Sequence, residues 1–330
     1  MMFSPAIISL LIGSALVALM LLYSCYYGGL ILCKWNLRSG SELQLELERR
    51  TSLISTLVSY ALGFQAFSLF LFVYTADSLA PFFVGAMCAA GSLNVNQWGY
   101  ATILLKVVNL LFAGVWLIAN HTDGCAFDYP LIKAKYSLLV IMTPLVTVEA
   151  ILQTSYFFAL KPNVITSCCG RLFTPESAGM VGAVLALPRA SAETAFGACL
   201  AVMFALGIWV YKKMTATVLF SLATAAAFVA SVVGLIAFIS PYFYELPTHH
   251  CPFCVLQREY GYVGYPIYFT LLIGTVSGLG TGIVGYYRKR PSLKQAAPRI
   301  QRRLVLAALI SYALFIAITM YGVAASNLRM

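Results

Sequence analysis

The chain has 330 residues, of which 61% are hydrophobic and only 10% charged. Soluble domains carry about 25% charged residues, so the composition excludes a soluble globular fold. The formal net charge of +10 does not indicate nucleic-acid binding, because Lys and Arg gather in the cytoplasmic loops of membrane proteins for topological reasons.

Eight apolar runs approach or exceed the roughly 20 residues that cross a bilayer as a helix. They are expected at about 5–27, 53–76, 100–119, 137–160, 194–212, 216–240, 265–287 and 304–325. The fold expected is an all-α polytopic membrane protein, taken as one membrane domain over 1–330. The first run has no basic stretch before it and is too long for a cleavable signal core, so it reads as a retained helix. Fifteen basic residues fall on one side of this arrangement: Lys34, Arg38, Arg49 and Arg50, then Lys133, Lys135, Lys212 and Lys213, then seven between Arg288 and Arg303. Five fall on the other: Lys161, Arg171, Arg189, Arg258 and Arg329. The bias makes the first side cytoplasmic. It places both termini and the loops at about 77–99, 161–193 and 241–264 outside, in a bacterial cytoplasmic (inner) membrane.

The first outer loop carries Cys88 within the small-residue run Gly85-Ala86-Met87-Cys88-Ala89-Ala90-Gly91, then the polar segment Asn94-Val95-Asn96-Gln97-Trp98, read as part of an ordered cap. The third and fourth spans hold Lys106 and Glu149. Charges inside a membrane are costly and face the interior, so these two are read either as a structural ion pair or as a proton path or quinone headgroup site. Gln65 and Asn109 add polar groups, and Gln153 lies closer to the level of Lys106 than Glu149 does. The second outer loop contains the adjacent pair Cys168-Cys169, and the apolar stretch 179–187, too short to span, reads as an interfacial or re-entrant helix.

The third outer loop holds His249-His250-Cys251-Pro252-Phe253-Cys254-Val255-Leu256-Gln257-Arg258, immediately before the seventh span. A Cys-x-x-Cys pair at a membrane surface cycles between dithiol and disulfide or holds a soft metal. A purely structural clip is a weak reading, because so short a loop closes little chain entropy. His249 and His250 beside Cys251 and Cys254 suit copper or zinc, and mercury on the same grounds. Tyr242, Phe243, Tyr244, Tyr260, Tyr262 and Tyr265 around the motif read as an aromatic belt.

The run Cys-Pro-Phe-Cys-Val-Leu-Gln-Arg, about ten residues with its flanks, resembles the quinone-facing motif of the DsbB family of membrane disulfide oxidoreductases. The resemblance implies that Cys254 faces a quinone, that Arg258, following Gln257, assists it, and that Cys251 exchanges with a second cysteine pair. No cysteine follows Cys254, whereas that family has its second pair downstream. The related vitamin K epoxide reductase family places its loop cysteines upstream, a role that would fall to Cys168 and Cys169 or to Cys88. The function expected on this basis is thiol–disulfide oxidoreduction. Electrons would pass from an outer-face thiol protein through Cys168-Cys169 and Cys251-Cys254 to a membrane quinone. The alternatives are a non-enzymatic metal-handling membrane protein, or a membrane subunit of a larger respiratory or assembly complex.

Gly280-Thr281-Gly282-Ile283-Val284-Gly285 matches a dinucleotide fingerprint but lies inside a span with no preceding strand, so it is rejected. Gly274, Gly278 and Gly282, four residues apart, form a face for close helix packing instead.

Overall fold

A computed structural model describes residues 4–36, 41–162, 164–166, 173 and 180–329. The protein is an all-α polytopic membrane protein. Among the described residues, eight helices are long and apolar enough to cross a membrane. In chain order the helices are α1 (Pro5–Lys34), α2 (Glu42–Ser78), α3 (Ala89–Leu93), α4 (Trp98–Gly124), α5 (Ile132–Phe158), α6 (Met180–Leu185), α7 (Arg189–Lys213), α8 (Thr217–Gly234), α9 (Ser240–Tyr244), α10 (Gly264–Tyr287) and α11 (Ala296–Ala325). A π-helical turn, Leu235–Ile239, joins α8 to α9 so that together they make one span.

The helices run past the apolar stretches that mark them. The start of α2 is charged rather than apolar, and Glu46 pairs with Arg50 one turn on at 2.5 Å. Such spacing supports a helix in water, which is why α2 begins eleven residues before the hydrophobic signal. Lys212 and Lys213 close α7, where positive charge complements the helix dipole. The apolar stretch at 179–187 contains the short helix α6.

The chain divides into two compact units: Met1–Thr75 with Asn96–Leu160 and Tyr286–Ile300, and Ala76–Val95 with Lys161–Gly285 and Gln301–Met330. In the first, α5 packs against α1 and α4, around a core that includes Leu21, Val58, Leu62, Trp116, Tyr136 and Met142. In the second, α7 packs on α8, and the core includes Phe196, Met203, Phe220, Phe238, Leu271 and Phe315.

The glycine face of α10 does what its spacing predicts. A Cβ at Gly278 would lie 2.4 Å from Thr224 Cγ2, one at Gly282 2.7 Å from Ser221 Cβ, and one at Gly274 2.8 Å from the Tyr312 ring. Without a hydrophobic driving force between helices in lipid, such close approach supplies the packing. Gly278→Val is therefore expected to cost about 1–3 kcal/mol through overpacking, read as a lower melting temperature in detergent. Gly197→Ala, where nothing lies within 4 Å, should leave that temperature unchanged or raised. Equal losses at both sites would contradict the packing role.

Candidate functional site

In the second unit, two loops bring three sulfurs together. The first follows α2. Gly85 there has φ +89°, and a Cβ on it would lie 2.6 Å from the Thr166 carbonyl oxygen, so glycine is required on both counts. That close approach is fixed by a short parallel bridge: the Val84 N–H donates to Val164 O at 3.1 Å, and the Thr166 N–H to Val84 O at 2.9 Å. Gly91 packs on Ala86, and its carbonyl accepts from Thr166 Oγ1 at 3.0 Å. The small residues around Cys88 thus let the loop fold tightly and hold Cys88 at the start of α3.

The second loop, between α9 and α10, is held by two tyrosine hydroxyls. Tyr244 donates to the Cys251 carbonyl at 2.5 Å and accepts from the Val255 N–H at 3.0 Å. Tyr268 donates to the Pro252 carbonyl at 2.6 Å. Cys254 opens a short 3-10 turn, Cys254–Leu256. A clasp ties the two loops to each other. Asp77, at the end of α2, accepts from the Ala89 N–H at 3.0 Å and from Gln257 Nε2 at 3.1 Å, and Gln257 Nε2 also reaches Met87 O at 2.9 Å.

The result is a buried triad of cysteines. The sulfurs of Cys88, Cys251 and Cys254 all lie within 4.8 Å of one another, and Cys88 Sγ is 3.6 Å from Cys251 Sγ. None is in a disulfide. Cys88 and Cys251 are 0% exposed and Cys254 4%. Their surroundings are apolar, with Ala90, Phe173, Tyr244 and Val255 in the same buried cluster.

The two histidines separate. His249 turns its Nε2 to Cys254 Sγ at 3.4 Å, with its ring edge-on to Tyr244. Burial pushes its imidazole below the ordinary histidine value, against an opposing pull from Cys88. His250 faces elsewhere, its Nδ1 3.0 Å from the Ile236 carbonyl oxygen. Gln257 serves the clasp, while Arg258 is exposed on the following 3-10 turn. Cys168 and Cys169 lie outside the described residues.

Lys106 and Glu149 belong to the first unit, where they form a buried ion pair of 2.7 Å. Glu149 also accepts from Asn109 at 2.6 Å and from Gln65 at 2.5 Å, and Lys106 donates to Ser68 Oγ at 3.0 Å and lies over the Phe72 ring. Gln153 does not join this network; its amide donates to Leu10 O and Ser14 Oγ on α1. A second buried pair escapes the sequence reading, which counts Lys135 as a loop cation. Lys135 lies inside α5, 2.8 Å from Asp123 and within reach of Ser55 and Asn120.

Sequence reasoning also does not select Cys88 as a partner of Cys251 and Cys254, nor Asp77 and Tyr244 as their supports. The one local signal for Cys88 is its setting among Gly and Ala, which marks a close backbone approach. In comparisons with known proteins, no family model, no curated protein and no solved structure matches the chain.

Proposed function

We propose that this integral membrane protein handles a soft metal ion, held by Cys88, Cys251 and Cys254. The observation that carries the reading is the mutual approach of three sulfurs within 4.8 Å from two separately braced loops. A dithiol redox pair needs two sulfurs, and the third has no part in it. Thiolates are the ligands of choice for copper(I) and zinc. By the distribution of Lys and Arg, the site lies on the outer side of a bacterial inner membrane. There a metal would compete with disulfide formation for the same sulfurs.

The test is metal content after anaerobic purification of the full chain with reductant. One equivalent of copper or zinc should remain with the wild type. It should be absent from a Cys88→Ser/Cys251→Ser/Cys254→Ser variant and retained when Cys25, Cys33, Cys125 and Cys199 are changed instead. A metal-free wild type after loading and desalting would refute the reading.

A second reading is favoured by one observation, the 3.6 Å separation of Cys88 and Cys251. A disulfide between them releases two protons and two electrons, and a membrane quinone would accept both to become the quinol. An outer-face thiol protein would then restore the thiols. Loss of two titratable thiols on adding a quinone under anaerobic conditions supports this reading, and an unchanged thiol count rejects it.

A further inference from the structure

Resting on the metal reading above, we infer that the ion is a soft monovalent cation of the copper(I) class, bound by three sulfurs alone, rather than zinc. Among the described residues, the close group contains three cysteines and no carboxylate or histidine nitrogen. The polar side chains nearby have other roles. His250 is turned to the Ile236 carbonyl, and Asp77 holds the Ala89 N–H and Gln257. His249 approaches Cys254 Sγ without being one of the mutually close donors.

Zinc takes four ligands in a tetrahedron, and where the protein supplies three, water is the fourth. Water is a poor fourth ligand here, because Cys88 and Cys251 are fully buried among apolar side chains. A soft monovalent ion needs no fourth ligand and prefers thiolate over nitrogen or oxygen. Charge balance pulls the other way, since a monovalent ion leaves one more negative charge uncompensated than zinc does. The S–H···S contact between Cys88 and Cys251 at 3.6 Å offsets this, because a proton retained on one sulfur removes the excess charge. Coordination softness and the absence of a fourth donor then decide the choice.

The experiment uses the reduced full chain in detergent under anaerobic conditions. Copper(I) is presented as its complex with a chromophoric chelator, and zinc in parallel with a zinc-specific dye. We expect one equivalent of copper(I) to leave its chelator for the protein, with a thiolate-to-copper absorption band in the ultraviolet. Zinc should bind at least about tenfold more weakly. Copper uptake should be lost in Cys88→Ser and Cys251→Ser, each checked for a monodisperse elution profile, and kept in His249→Ala. Zinc bound more tightly than copper, and released by His249→Ala, overturns this inference while leaving the metal reading intact. Failure to retain either ion overturns both.

Discussion

Glu149→Ala is expected to destabilise the protein by about 3–5 kcal/mol, the largest effect of any single substitution considered. The pair it breaks is 0% and 1% exposed, so the Lys106 ammonium would be left without its counter-charge where water does not reach it. Asn109 and Gln65 would lose their acceptor at the same time. Replacing both partners by apolar residues, as Lys106→Met/Glu149→Leu, should recover most of the loss, because the cost of an ion pair lies mainly in taking the charges out of water. Denaturation of the detergent-solubilised protein measures both variants. A single variant within about 1 kcal/mol of wild type would show that Lys106 discards its charge or finds another partner.

Cys88→Ser is expected to abolish metal retention against a chelator, while His249→Ala leaves it in place. Serine keeps the size of the side chain but replaces a soft thiolate with a hydroxyl that stays protonated, so one of three donors is lost outright. His249 borders the site at Cys254 and stacks on Tyr244. Its removal alters the wall of the site rather than the donor set, an effect nearer the 10–100-fold typical of supporting groups. The two variants together distinguish an all-sulfur centre from one completed by nitrogen. Equal loss in both would assign His249 as a ligand.

The eight spans were legible because burial in lipid demands long apolar runs, and every such run became a helix. Helix ends were not, because hydropathy marks the membrane and not the hydrogen-bonded backbone. α5 starts at Ile132 rather than near 137, and that one extra turn carries Lys135 from an apparent loop to a buried pair with Asp123. Lys106 and Glu149 could be singled out as intramembrane charges, and Gln65 and Asn109 as polar company. Which amide would reach Glu149 depended on helix rotation, and that sent Gln153 to α1 instead.

For the sulfurs, the Cys251-Cys254 spacing is a local pattern and visible in the sequence. The approach of Cys88 is not local, because it arises from how α2, Asp77 and Gln257 bring one loop onto another. The placing of His249 against Cys254 and of His250 against Ile236 depends on loop backbone conformation, which composition does not encode.

Cys88 and Cys251 are 163 positions apart, and α3 to α9 lie between them. An ion shared by their sulfurs would close that whole stretch into a ring, acting as a reversible cross-link. In water such a closure takes much entropy from the unfolded chain. In a bilayer the spans are already threaded, so less is left to remove. The main effect would then be local: the ion would fasten the end of α2 to the start of α10 more firmly than the Asp77–Gln257 hydrogen bonds do alone. Occupancy of the site would set how freely those two helix ends move.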